Sequence, residues 1–387
     1  MLAKCVDNLK SFIVMDILEM ASKLEQQGEH IVHLEIGEPD FPLPSAVKKA
    51  IEKGLKENHT HYTHSQGILE LREAICAYYQ QKYQVQLNPD QIFVTQGTSP
   101  ALLLALALIL NPQEEVILTD PCYACYPNFI HLRQGIPRYL PIFEEEDYQL
   151  DISRLKKMLT PKTKALLLNS PANPTGKLLS AQNLKELAEL SQERNLLLIS
   201  DEIYHGLVYT GKEHSLLEFT PRAFILNGFS KLFAMTGLRL GYLIVPEDFI
   251  LPLRKMAQNF FICANSLAQL AGIAALKEAW PEVKQMVATF AQRRTHLLQG
   301  LQELGFEIPS PPEGAFYVFV KAKHLTKHFE NSSLNLAKDI LLKARVGVTP
   351  GIDFGARGEG FLRFSYATSL ENITLGLERL KKYLQKF

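Results

Sequence analysis

Lys231 lies in the stretch Asn227-Gly228-Phe229-Ser230-Lys231, just after the apolar run Ala223-Phe224-Ile225-Leu226, and Arg239 enters another apolar stretch eight residues later. An ammonium group in such a place is costly unless it is neutralised, paired or covalently engaged. Small residues around it leave space for a ligand. A lysine and an arginine meeting at one partly buried site call for an anion that also carries a carbonyl group. Pyridoxal 5'-phosphate has both features: its aldehyde forms a Schiff base with an amine, and its phosphate pairs with a guanidinium.

Other residues with usable chemistry also follow short apolar runs. Thr95-Gln96-Gly97-Thr98-Ser99 follows Ile92-Phe93-Val94. With Ser99 as cap and Pro100 at the first helical position, the amides of Gly97, Thr98 and Ser99 form an anion site at a helix start, although a plain capped helix reads the same way. Asp201 follows Leu196-Leu197-Leu198-Ile199-Ser200, so its carboxylate needs a cation; a protonated pyridine nitrogen and an Arg or Lys side chain both qualify. Tyr204, three residues on, and Asn173, in Asn169-Ser170-Pro171-Ala172-Asn173-Pro174-Thr175-Gly176, can hydrogen-bond a ring hydroxyl. Tyr123, in Asp120-Pro121-Cys122-Tyr123-Ala124-Cys125-Tyr126, can stack on a ring or belong to the core. Arg363, among Phe361, Leu362 and Phe364, fits bidentate capture of a carboxylate or a solvent-facing strand position.

These segments must be held by something, and the pattern says what. From about residue 65 to 245, helical patterns alternate with continuous apolar runs, including Val116-Ile117-Leu118, Ala165-Leu166-Leu167-Leu168 and Tyr242-Leu243-Ile244-Val245. Strands buried on both faces with helices between them predict a mainly parallel sheet, and such sheets bind ligands at the carboxyl ends of their strands. Four strand ends then deliver an anion cradle, an amide, a carboxylate with a phenol, and an amine. Beyond about residue 280 a helix over 282–304, the run Ala315-Phe316-Tyr317-Val318-Phe319-Val320, a helix over 334–344 and a strand over 360–366 predict a smaller α+β domain. The expected division is 46–280 for the large domain, with 1–45 and 281–387 forming the small one.

At 387 residues the chain exceeds what one core holds, and 41 Lys plus Arg balance 41 Asp plus Glu, so no charge excess draws it to nucleic acid or membrane. The longest apolar segment, 101–110, is short against the roughly 20 residues of a membrane span. Five cysteines in a chain of this length form no disulfide framework and, with no signal-peptide core, point to a reducing cytoplasm. Cys122 and Cys125 form a CxxC without a second pair and read as incidental thiols, with no metal expected. Phe12, Ile13, Phe260, Phe261 and Ile262 can line an apolar pocket or belong to the core; core is the expectation.

The combination of NSPANPTG (169–176), SDEIY (200–204) and NGFSKLFAMTGLRLGY (227–242), with Gly37-Glu38-Pro39-Asp40-Phe41 before it and Arg363 after it, resembles the class I/II aminotransferases of the pyridoxal-phosphate fold type I group, the aspartate aminotransferase superfamily. The resemblance covers nearly the whole chain. It implies a seven-stranded, mainly parallel sheet sandwiched by helices, and a homodimer with shared active sites. By it, Lys231 is the Schiff-base lysine and proton shuttle, Asp201 pairs with the pyridine nitrogen, and Tyr204 and Asn173 contact the ring oxygen. Arg239, Thr98 and Ser99 hold the phosphate, with Gly97 in the same cradle, and Tyr123 stacks on the ring. Arg363, Asn173 and the backbone of Gly37 clamp the substrate α-carboxylate, and Tyr62 reaches the neighbouring subunit's phosphate.

Two departures stand out. Many relatives have a hydroxyl residue where this chain has Gly228, a contact that Ser230 can replace. Some aspartate-preferring relatives have a lysine where this chain has Ser99. The expected reaction is ping-pong transfer of an amino group from an L-amino acid to a 2-oxo acid through pyridoxamine phosphate. The alternative on the same fold is carbon–sulfur β-elimination. A non-catalytic ligand-sensing module, as in transcription regulators, would need an appended DNA-binding domain, for which the residues before Gly37 leave no room.

Overall fold

The computed structural model describes residues 3–387. Twelve strands succeed one another along the chain: β1 (Val32–His33), β2 (Ile92–Thr95), β3 (Glu115–Asp120), β4 (Ile136–Pro141), β5 (Thr163–Asn169), β6 (Leu197–Asp201), β7 (Ala223–Gly228), β8 (Gly241–Ile244), β9 (Tyr317–Lys321), β10 (Val346–Gly347), β11 (Thr349–Pro350) and β12 (Phe361–Ser365). A seven-stranded sheet has the order β2-β8-β7-β6-β5-β3-β4. Only β8 runs against its neighbours in it. Residues of β6 and β7 are buried throughout, as befits strands covered on both faces by helices.

All six apolar runs become strands of this sheet. The seventh, β4, escaped the reading because its sequence, Ile136-Pro137-Arg138-Tyr139-Leu140-Pro141, carries two prolines. An edge strand tolerates them, since only one side of it must supply ladder donors, and β4 is the edge beyond β3. The rest of the strands form β11-β12-β9, antiparallel, and β1-β10, parallel. The helices predicted near 282–304 and 334–344 are Trp280–Glu303 and Ser333–Ala344. The pairing of β1 with β10 brings residue 32 beside residue 346, and the Ser365 amide donates to the Leu34 carbonyl. Among the described residues no helix is long and apolar enough to cross a membrane.

A seam of glycines joins the sheet to the helix behind it. Gly228 pairs with Gly241 across β7 and β8, and a Cβ on Gly228 would stand 2.9 Å from the Gly241 Cα and from the Leu240 carbonyl oxygen. A Cβ on Gly241 would stand 2.7 Å from the Gly97 carbonyl carbon and 2.9 Å from the Thr98 nitrogen. Backbone cannot move aside as a side chain can, so a serine or threonine has no room at position 228. Near the start of the chain, His33 joins two carboxylates. Its Nδ1 lies 2.6 Å from Oε1 of the buried Glu35, and its Nε2 lies 3.0 Å from Oε1 of Glu25. The hydrogen bond to Glu35 raises the imidazole to about 9 against burial, which opposes it.

Gly228→Ser is expected to destabilise the protein by about 1–3 kcal/mol through overpacking, read as a lower urea midpoint at unchanged slope. For His33 the folded value lies above the unfolded one, so its contribution is fully present below about pH 6.5 and is lost as pH rises through about 9. The urea midpoint of the native protein should therefore fall over that window more steeply than that of His33→Gln; parallel curves would refute the linkage.

Candidate active site

The carboxyl ends of β5, β6 and β7, the start of the helix Thr98–Ile109 and the segment after β1 enclose a cavity of about 410 Å³. The order of the sheet produces this convergence: β5, β6 and β7 are parallel neighbours, with Asn169 level with Asp201 and Asp201 level with Leu226.

Lys231 faces the cavity, and its Nζ donates to the Gly37 carbonyl at 2.8 Å. Burial lowers its amine from 10.5 to about 8; the Glu38 carboxylate opposes the shift, while Arg239 and Arg363 add to it. Glu38 is itself fastened by the Thr236 hydroxyl. The Asp201 carboxylate enters from the end of β6. Its Oδ2 accepts from the Tyr126 hydroxyl at 2.7 Å and its Oδ1 from the Ile203 amide at 3.1 Å. Burial raises it to about 6, against those two hydrogen bonds. Its partners are neutral, so a cation arriving in the cavity would restore its charge at low cost.

Arg363 is almost fully buried on β12. Its Nη1 donates to Asn173 Oδ1 at 3.0 Å, and its Nη2 donates to the Glu35 carbonyl at 2.5 Å and to Thr349 Oγ1 at 3.0 Å. The guanidinium lies over the Tyr317 ring at 4.2 Å from the centroid. The solvent-facing reading of this arginine is thereby excluded. Because Asn173 offers its oxygen to Arg363, its amide NH₂ remains for another acceptor. The Tyr204 hydroxyl is 2.9 Å from the Tyr317 hydroxyl, and both phenols line the cavity.

Arg239 adopts a left-handed backbone, φ 51°, which turns its side chain toward the helix start. Its Nη1 donates to the Thr236 carbonyl at 2.9 Å, and a Cβ on Gly97 would meet its Nη2 at 2.5 Å. Gly97 also has φ 90°, a backbone conformation that favours glycine there. Gly97 is the cap and Thr98 the first helical residue. The assignment of Ser99 as cap is corrected: Ser99 is the second helical residue and Pro100 the third. Thr98, Ser99 and Ser230 all face the cavity. Tyr123 does too, edge-on to Phe12 with ring centroids 5.8 Å apart.

Some expectations need adjusting. Phe12 lines the cavity with Met15 and Leu18 and is not a core residue; the three share one face of the N-terminal helical segment at a spacing of three. Phe260 and Ile262 are exposed, at 68% and 52%, because the helix Ile250–Phe260 ends there at the surface. Gly37 lines the cavity, with its carbonyl accepting from the Lys231 amine. Tyr62 is 82% exposed and does not line the cavity of its own chain. Burial raises the thiols of both Cys122 and Cys125, which leaves them poor nucleophiles. Tyr126, Tyr317 and Glu38 belong to the cavity and were missed. Tyr126 is three residues from Tyr123 in a segment already singled out, whereas nothing in a strand beginning at Tyr317 announces its partners.

The family model for aminotransferase class I and II matches residues 29–380. The chain is similar to the (5-formylfuran-3-yl)methyl phosphate transaminase of Methanocaldococcus jannaschii, 42% identical over 390 residues and covering 100% of both chains. It is similar to aromatic-amino-acid aminotransferase 2 of Thermococcus litoralis, 36% identical with 94% of each covered. Among solved structures, the aspartate aminotransferase of Thermus thermophilus with maleate superposes with a TM-score of 0.93 at 34% identity, over 99% of each chain. These relatives are named for amino transfer, which decides between transfer and β-elimination. With lysine, carboxylate, phenols and arginines gathered in one cavity, the chain belongs to the class I and II aminotransferase family and is an aminotransferase.

Proposed function

We propose that this aminotransferase uses pyridoxal 5'-phosphate, held in the 410 Å³ cavity, and moves the amino group of an L-amino acid with an uncharged, apolar side chain to a 2-oxo acid in two half-reactions. The observation that carries the reading is the pairing, in one cavity, of an amine lowered to about 8 with a buried carboxylate raised to about 6. Each awaits a partner of a particular kind: a carbonyl carbon for Lys231, a cationic ring nitrogen for Asp201. Arg239 with Thr98, Ser99 and Ser230 suits a phosphate, the helix start, which has no side-chain cap, adding the amides of Thr98 and Ser99. Tyr204 and the free NH₂ of Asn173 suit a ring oxygen, and Tyr123 the ring face.

When bound, the cofactor supplies a pyridinium ring that takes up the electron pair left by the departing α-proton. The chain's own residues do the remainder. Arg363 and Asn173 bind the α-carboxylate and so fix the α-carbon. Lys231, once free, has an amine poised near neutral pH to accept the α-proton and to hand it, on its own side of the cavity, to the carbon that had been the cofactor's carbonyl carbon. Asp201 keeps the ring nitrogen protonated. Phe12, Met15 and Leu18 give the side chain an apolar wall. The cations Lys231, Arg239 and Arg363 all have other duties, so among the described residues no further cation of this chain lines the cavity to meet a distal carboxylate.

We further infer a homodimer in which Tyr62, so exposed here, reaches the neighbouring subunit's phosphate. A division into a large domain of 46–280 and a small one of 1–45 with 281–387 accords with the separate sheets, and the unpaired cysteines accord with a reducing cytoplasm.

Lys231→Ala is expected to retain the cofactor through Arg239 and Asp201, removable by dialysis and not fixed by borohydride, with turnover lower by at least about 10²–10⁴-fold. Turnover near the native rate, or native protein that takes up no pyridoxal phosphate, would defeat the proposal. In a panel of amino donors, kcat/KM for phenylalanine- or leucine-like donors should exceed that for aspartate by about tenfold or more; an aspartate preference would refute the side-chain assignment.

A further inference from the structure

Tyr317, the first residue of β9, is 2% exposed and touches three parts of the site that come from distant stretches of chain. Its hydroxyl is 2.9 Å from the Tyr204 hydroxyl. Its ring lies beneath the Arg363 guanidinium, 4.2 Å from centroid to Cζ. Its hydroxyl also occupies the place that a Cβ on Gly37 would take, and the Gly37 carbonyl holds the Lys231 amine. Burial keeps both phenols protonated, so two protons are available to the pair.

A phenol has one proton to donate. If the Tyr204 hydroxyl donates to a ring oxygen in the cavity, it cannot also donate to Tyr317. The 2.9 Å contact then has a single direction, with Tyr317 as donor and Tyr204 as acceptor. The guanidinium against the Tyr317 ring reinforces this, since a nearby cation makes the phenol a better donor. Donation into Tyr204 in turn polarises its own O–H toward the cavity.

We propose that Tyr317 is a positioning residue that sets the direction and strength of the Tyr204 hydrogen bond and couples it to Arg363, which takes the substrate carboxylate; this rests on the proposed cofactor. Arg363 from β12 is the charged group against the pair, and Lys231 from the loop after β7 and Asp201 from β6 line the same cavity. Substrate binding at Arg363 withdraws positive charge from the Tyr317 ring and so weakens the donation into Tyr204. The phenol pair thus reports carboxylate binding to the ring oxygen.

The test uses holoenzyme of native protein, Tyr317→Phe, Tyr204→Phe and the double variant. The readout is the pH at which the bound cofactor's visible absorbance changes. Tyr204 favours the ionised ring oxygen, so Tyr317→Phe should raise that midpoint by roughly half to one unit. It should lower kcat several-fold and leave the donor KM within about twofold, because the ring under Arg363 is retained. In the Tyr204→Phe background the second substitution should add no shift, since the route runs through Tyr204. A Tyr317→Phe titration that superimposes on the native one, or an equal shift in both backgrounds, overturns the inference. Native protein that takes up no cofactor overturns the function reading as well, so the two failures are distinguishable.

Discussion

Arg363 is a buried cation whose partners are an amide oxygen, a backbone carbonyl and a hydroxyl. Desolvating a guanidinium without a carboxylate beside it is expensive, and the structure sustains it by drawing acceptors from three places. Asn173 comes from the loop after β5, Glu35 from the segment after β1 and Thr349 from β11. One side chain thereby sets the large sheet and both ends of the chain in relation to each other. Its Nε is buried without a hydrogen-bond partner among the described residues. The site is left with positive charge in excess of what its neighbours satisfy, and that is the physical basis for taking an anionic substrate there.

The same excess acts on Lys231. Burial alone lowers an ammonium, and two arginines nearby lower it further, while Glu38 and Asp201 counter them. The result is an amine near 8, available as nucleophile and base at physiological pH. Asp201 is the mirror case, a carboxylate lifted by burial and waiting for a cation. A family of reactions that begins by removing an α-proton needs both ends tuned. Here the tuning comes from where the strands stop: a residue or two of displacement along β6 or β7 would carry either group out of the cavity.

The glycine seam explains how the anion cradle reaches the sheet. Gly97, Gly228 and Gly241 let the helix start and the β7–β8 pair approach to backbone contact, leaving Arg239, in its left-handed conformation, to close the cradle. That packing leaves no room for a side chain at position 228, and the nearby Ser230 hydroxyl faces the cavity.

Much of this was legible in the residues. Continuous apolar runs marked six of the seven strands because a strand covered on both faces has no polar positions to spare; β4 was hidden by its prolines, which an edge permits. Polar residues directly after those runs had to lie at strand ends, and that rule alone placed Lys231, Asp201, Asn173 and Thr98 together. What only the tertiary structure decided were contacts between residues far apart in sequence. The Tyr317–Tyr204 bond, the Glu35 carbonyl under Arg363 and the apolar wall of Phe12, Met15 and Leu18 depend on how the small sheet and the N-terminal helix settle over the large one, and the Tyr126 hydrogen bond to Asp201 on how the helix Tyr126–Leu132 packs over the end of β6. Local patterning specifies which face of an element is buried; it does not specify which distant side chain it is buried against.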